Sequence, residues 1–239
     1  MEERIFLENG FKELNIKINK ESIDELLLFK DMLLEWNKKI NLTSITDDEA
    51  IFIKHFFDSA TCMATGYIKD GFEVVDIGTG AGFPGLVLKV LNKKINITLL
   101  DSLRKRTNYL ENIVINLGLK NVEIIHGRAE EYGNKEDYRE KYDIALSRAV
   151  ASINVLLEYC LPYIREGGYF LCQKGPKFKD ELKEAEKALK VLGGKINEIK
   201  EFILPGSDIK RNIIVIKKIY KTPAKYPRKA GKPSSNPIK

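Results

Sequence analysis

Apolar and polar residues recur along this chain with two different periods, and the change between them falls near residue 70. From about 21 to 39, Ile23, Leu26, Leu27 and the Leu33-Leu34 pair return at helical spacing among acids, so this stretch is predicted to be an amphipathic helix. Asn41-Leu42-Thr43-Ser44 interrupts it. A second helix is expected from Asp47, where Thr46 or Asp47 can cap the first turn and Glu49 suits its positive end. It carries Ile51, Ile53, Phe56 and Phe57 towards Met63. Residues 1–68 therefore read as a small helical subdomain.

Beyond Gly71 the pattern shortens to strands alternating with helices. Strands are predicted over 72–77, 95–100, 122–125, 142–146 and 169–172. Helices are predicted over 83–91, 103–117, 153–164 and 178–192. Gly118 and Gly193-Gly194 stop two of the helices, and Pro162 is expected to end a third early. Two closing strands, 195–204 and 211–220, are joined by Pro205-Gly206-Ser207-Asp208 and read as a hairpin. Residues 69–220 are thus expected to form an α/β domain, a doubly wound, mostly parallel sheet with an antiparallel edge hairpin. Residues 221–239 hold four prolines and read as an extended basic tail.

A length of 239 residues suits one good-sized α/β domain with an appendage. No apolar run approaches the roughly 20 residues that span a bilayer, and the first residues lack a signal-peptide layout. Cys62, Cys160 and Cys172 are scattered, and neither His55 nor His126 has metal-ligand spacing. These features predict a cytoplasmic protein with no disulfide framework, no catalytic metal and no membrane partner. The net charge of +6 is local: Lys221, Lys225, Arg228, Lys229, Lys232 and Lys239 crowd the tail without one acid, leaving 34 basic against 34 acidic residues elsewhere. Such a segment is either a solvated end or a contact for a polyanion such as nucleic acid.

The sharpest chemical signal is Val74-Val75-Asp76-Ile77-Gly78-Thr79-Gly80-Ala81-Gly82. It closes the first strand with an acid and then turns on glycines, which bring backbone N–H groups close to a ligand. Pro84 fits the first turn of the following helix. Asp101 ends the second strand, where an acid bonds ribose hydroxyls. Together they point to an adenosine-containing ligand. Gly80-Ala81-Gly82-Phe83-Pro84-Gly85 also matches the dinucleotide fingerprint of dehydrogenases, but its first glycine comes late after the strand. Read from Asp76, the loop resembles motif I of class I S-adenosylmethionine-dependent methyltransferases.

Further pieces narrow the resemblance. They are Trp36-Asn37, Asn41-Leu42-Thr43, His55-Phe56-Phe57-Asp58-Ser59, Asp101-Ser102, Gly127-Arg128-Ala129-Glu130, Ser147-Arg148-Ala149, Lys174-Gly175 and Tyr226-Pro227-Arg228-Lys229-Ala230-Gly231. In this order they resemble the bacterial small-subunit rRNA guanine-N7 methyltransferases, the glucose-inhibited division protein B family, over nearly the whole chain. The tail departs at Ser234-Ser235-Asn236, where the family leads one to expect more basic residues.

The resemblance implies the class I S-adenosylmethionine-dependent methyltransferase fold and methyl transfer from S-adenosylmethionine to N7 of a guanosine in 16S rRNA. It implies that Gly78, Gly80 and Phe83 line the cofactor loop, Asp101 holds the ribose and Ala129-Glu130 meet the adenine. Arg148 would stand beside both cofactor and entering base. Lys174, Arg211, Arg228 and Lys229 are expected RNA contacts; Lys174 and Arg211 read equally as solvated charges. The partner would be 16S rRNA or the small ribosomal subunit, approached by a monomer. His55 and His126 read as packed or hydrogen-bonded rather than catalytic. Guanine N7 already carries a lone pair, so no general base is needed, and Asp76 or Glu130 could stabilise the positive charge that moves to the base. A methyltransferase for a small molecule or protein and a non-catalytic binding module are the competing classes.

Overall fold

The computed structural model describes residues 1–148 and 151–239; Ala149, the third residue of the Ser147-Arg148-Ala149 match, lies outside the described residues. In chain order the elements are α1 (Glu2–Glu13), α2 (Lys20–Asn37), α3 (Asp48–Ile51), a π-helical stretch (Phe52–Phe57) and α4 (Asp58–Ala64). Then follow β1 (Glu73–Ile77), α5 (Gly85–Leu91), β2 (Asn96–Asp101), α6 (Arg104–Asn116), β3 (Val122–His126), α7 (Ala129–Tyr132) and β4 (Tyr142–Arg148). The rest are α8 (Ile153–Cys160), a 3-10 turn (Leu161–Tyr163), β5 (Ile164–Lys174), α9 (Lys179–Glu184), α10 (Glu186–Leu192), β6 (Gly194–Ile203), β7 (Lys210–Lys218) and α11 (Lys232–Ser235).

The strand order is β3-β2-β1-β4-β5-β7-β6. The first five strands run parallel, and β7 is antiparallel to both β5 and β6. The expected hairpin is present, with Ile203 opposite Lys210. Order reverses between β1 and β4, which opens a crevice at the carboxyl ends of the strands.

Side-chain alternation assigns the sheet residues to two cores. Val74, Leu99, Ile144, Leu146, Leu171 and Ile213 leave one face and join a cluster that includes Phe11, Phe29, Phe56 and Phe57 of the N-terminal helices. Val75, Leu100, Ala145, Phe170, Cys172 and Ile214 leave the other and meet Ile153, Leu156 and Leu157 of α8. Both faces are covered, which is why the central strands read as unbroken apolar runs. The N-terminal helices share one core with the sheet.

Five expectations are revised. Helix α1 falls where no element is predicted: Leu7, Phe11 and Leu14 do recur on one face, but Gly10 breaks the pattern. That glycine is required, since a Cβ there would sit 2.1 Å from the Phe57 ring. Helix α5 starts at Gly85 instead of residue 83, because Thr79–Phe83 forms its own turn, with Gly82 and Phe83 N–H donating to the Thr79 carbonyl at 3.0 Å. Pro84 stands before that helix, not in its first turn. Strand β5 extends to 164–174, well beyond the expected 169–172, because Ile164 already pairs with Tyr142 of β4 and, after a register shift, the pairing resumes at Tyr169 and runs to Lys174 opposite Asn212 of β7. The tail is no free extended chain: it docks on α7 and α8 and ends in the short α11.

Candidate active site

Two clefts open at the carboxyl ends of the strands. The first, about 190 Å³, lies over β1, β2 and β3 and is lined by Gly78, Asp101, Gly127, Ala129, Glu130 and Tyr159. The glycine loop is pinned to β2 by Gly78 and Thr79 N–H, which both donate to the Leu100 carbonyl. Gly78 and Gly80 take φ of 73° and 62°, a region that side chains disfavour. Gly80 N–H donates to Asp101 Oδ2 at 3.0 Å, and Leu103 N–H donates to Oδ1 at 2.9 Å, so the carboxylate is held at the cleft wall. Asp76 lies beneath the loop. Its Oδ2 accepts from Gly85 N–H at 2.8 Å, and burial pushes its carboxyl up to about 6 against that bond and the nearby Arg148. The Tyr163 hydroxyl donates to the Ala129 carbonyl at 2.7 Å, fixing the far wall.

The second cleft, about 370 Å³, lies over β4, β5 and β7 and is lined by Lys54, His55, Asp58, Arg148, Gln173 and Arg211. The sheet pleat sets its chemistry. Arg148 pairs in register with Gln173, and Arg211 lies two residues from Ile213, the partner of Gln173. All three side chains leave the face that meets α4. There Asp58, 3% exposed, gathers them: Oδ2 accepts from Arg148 Nη1 at 3.2 Å and Oδ1 from Arg211 Nε at 2.9 Å, while Gln173 Nε2 donates to the Asp58 carbonyl at 2.7 Å. Arg148 also donates to the Lys54 carbonyl and, through Nη2, to His55 Nδ1 at 3.2 Å. Its guanidinium carbon lies 5.1 Å from the centroid of the Phe83 ring, which stacks on His55 at 4.4 Å.

The clefts are neighbours. Ser147 Oγ donates to the carbonyl of Ile77, which lines the first cleft, and the next residue, Arg148, lines the second. Another cavity, about 960 Å³, lies beside α1 and shares no residue with either cleft.

Not every expected site residue meets these clefts. Gly78, Asp101, Ala129 and Glu130 are brought together, with Gly80 bonded to Asp101. The Phe83 ring is 4% exposed and packs among Phe29, Phe56 and His55, so only its backbone belongs to the glycine loop. Lys174 reaches the second cleft, but its ammonium is held by the Ala151 carbonyl and Glu181 because odd and even residues of β5 point to opposite faces. Arg228 lies away from the second cleft, bound to Glu158. Lys229 is exposed in the tail. Asp58, which gathers both arginines, is a cleft residue that sequence reasoning passed over. Its only signal was its place in the His55-Phe56-Phe57-Asp58-Ser59 match.

His55 is neutral at working pH. Burial and the facing Arg148 push it down to about 3, and with Nδ1 accepting from Arg148, Nε2 donates to Thr43 Oγ1 at 2.9 Å. Unfolded histidine titrates near 6.5, so unfolding binds a proton that the folded site refuses. The stability this provides is complete above 6.5 and is lost as pH falls towards 3. Asp76 works in the opposite sense, favouring the folded state as pH falls from about 6 towards 3.8. A His55→Gln variant should therefore gain stability relative to the parent as pH drops below 6.5, read as the difference in urea midpoints. A difference that stays constant with pH would remove His55 as the cause.

Among the described residues, no group of three or more His, Cys, Asp or Glu side chains is placed to hold a metal ion, and no helix is long and apolar enough to cross a membrane. The sequence model of the family described as rRNA small subunit methyltransferase G matches residues 22–214. A "Ribosomal RNA small subunit methyltransferase G" of Alkaliphilus oremlandii is 54% identical over all of both chains. Another, from Alkaliphilus metalliredigens, is 52% identical, also over all of both chains. A third, from Acetivibrio thermocellus, is 51% identical over 98% of this chain and 96% of its own. Among solved structures, a SAM-dependent methyltransferase from Aquifex aeolicus aligns with a TM-score of 0.53 at 21% identity, over 77% of this chain and 98% of that one. M. jannaschii TYW2 in complex with AdoMet aligns at 0.54 and 13% identity, over 72% of this chain and 81% of that one. At such identities these two likenesses speak for the fold.

Proposed function

This chain belongs to the rRNA small subunit methyltransferase G family, and from that premise we propose how its two clefts divide the work of methylating guanine N7 in 16S rRNA. The first cleft takes S-adenosylmethionine and the second takes the target guanine. The observation that carries this reading is their adjacency: Ile77 at the first and Arg148 at the second are joined through the Ser147 hydroxyl.

The residues of the first cleft suit the cofactor. The held carboxylate of Asp101 can accept from both hydroxyls of a ribose, and Gly78 leaves the backbone bare for close approach. The backbone at Ala129 offers the adenine edge a partner on a wall fixed by Tyr163. When bound, S-adenosylmethionine supplies an electrophilic methyl group on its sulfonium. No residue of the chain need take a proton, because N7 attacks with its own lone pair. The protein's part is positioning and charge placement. Arg148 holds the plane of the entering base and donates to its O6, the acceptor beside N7. Asp76, buried below the loop, offsets positive charge as it passes to the base. In A-form RNA the N7 edge faces a groove too narrow for side chains, so the target is an unpaired or splayed guanine. Arg211 and exposed Lys54 at the rim face its phosphates. The working compartment is the cytoplasm, where small-subunit rRNA is found.

The test is direct. Deleting the gene should remove one 7-methylguanosine from small-subunit rRNA, mapped by borohydride-induced chain cleavage, and the expressed protein should restore it. An unchanged map would refute the substrate, and a change at another atom would refute the N7 chemistry.

A further inference from the structure

The basic tail reads as a solvated end or as a contact for RNA, and its hydrogen bonds within the protein lead to the first cleft. Arg228 grips Glu158 through its backbone N–H at 2.8 Å, Nε at 2.8 and 3.1 Å, and Nη2 at 2.6 Å. Glu158 is fully buried on α8, and the next residue, Tyr159, lines the first cleft. Gly231 N–H donates to Glu130 Oε1 at 2.8 Å, again at the cleft wall. Asn134 Nδ2 bridges the Glu130 carbonyl at 2.9 Å and the Pro227 carbonyl at 3.1 Å. Arg139 ties the Gly133 carbonyl, just after α7, to the Thr222 and Tyr226 carbonyls of the tail. Residues 222–231 thus cross α7 and α8, the two short helices that carry Ala129, Glu130 and Tyr159.

We propose that Arg228 is a positioning residue for cofactor binding: its pair with Glu158 straps the tail across α7 and α8 and so sets the adenine side of the first cleft. The proposal rests on the reading of that cleft as the cofactor site. Physically, a buried carboxylate without a partner is costly, so Glu158 draws Arg228 to one place. The rigid fork of the guanidinium, bound to both oxygens, fixes direction as well as distance. A lysine keeps the charge and loses the direction. The strap touches neither Arg148 nor Arg211, so it bears on cofactor affinity and leaves the methyl-transfer step alone.

The experiment titrates full-length protein with S-adenosylhomocysteine by calorimetry and measures rRNA methylation against cofactor concentration. Arg228→Ala should raise Kd for S-adenosylhomocysteine and KM for S-adenosylmethionine about tenfold while kcat at saturating cofactor changes less than about twofold. Arg228→Lys should recover part of the loss. The salt slope of rRNA binding should fall by no more than the roughly 0.7 to 0.9 of a single cation. Should Arg228→Ala fail to fold, Asn134→Ala, which removes only the bridge, should shift Kd in the same direction. Unchanged cofactor affinity with weakened rRNA binding would overturn the strap and leave the tail an RNA contact. A parent protein that does not bind S-adenosylhomocysteine would refute the cofactor reading itself, a different failure from a parent that binds and an Arg228→Ala variant that binds equally well.

Discussion

Arg148→Ala should abolish methylation of small-subunit rRNA while the protein stays folded and still binds its cofactor. The guanidinium reaches the second cleft from the end of β4, with its plane set by the Asp58 carboxylate, the Lys54 carbonyl, His55 and the Phe83 ring. Donors fixed in this way act without reorganising, and removal of one such group from an active site costs roughly 10²- to 10³-fold in rate. The loss here should reach the upper end, because the same side chain both holds the plane of the base and donates to its O6. Folding is spared because Asp58 keeps Arg211 at 2.9 Å. Single-turnover transfer of a labelled methyl group, alongside urea unfolding, separates the two effects. Transfer within tenfold of the parent would exclude Arg148 from the chemistry.

Asp58→Ala should do more damage to the whole molecule. One buried carboxylate answers both Arg148 and Arg211, and its own carbonyl receives Gln173. Removing one partner of a buried ion pair costs about 3–5 kcal/mol because the remaining charge is left without compensation. Methyl transfer should fall with stability, since both arginines lose their anchor. Asp58→Asn keeps the shape and removes the charge, so it should sit between parent and alanine. Urea midpoints of the three proteins measured together, with single-turnover rates below the onset of unfolding, check the order. Equal stability across the series would show that the arginines are held by other groups.

These two residues mark the limit of what could be read from the chain. Arg148 was legible because it follows an apolar strand directly and so stands at the sheet end where ligands bind. Asp58 was not. It sits in the helical part, 90 residues before Arg148 and 153 before Arg211, and no local spacing links a helix carboxylate to two strand ends. The glycine loop and Asp101 were legible because their chemistry is mostly backbone and local geometry. Phe83 reads as a cofactor neighbour only through the family resemblance, while composition favours a core residue; its apolar ring joins the aromatic cluster of the N-terminal helices. The docking of the tail was not legible for a related reason. Proline and lysine describe a segment that cannot form its own core, and say nothing about a buried acid on α8 waiting for an arginine.

The docked tail also changes how the protein meets its substrate in solution. The rest of the chain is balanced in charge, and Lys221, Lys225, Lys229, Lys232 and Lys239 stand exposed on a segment fixed to the body. A swinging arm would average its field over many directions. A fixed one holds its positive charge on the α7–α8 side. A polyanion then turns the protein as it approaches, before any base is touched, and speeds productive encounter most at low ionic strength.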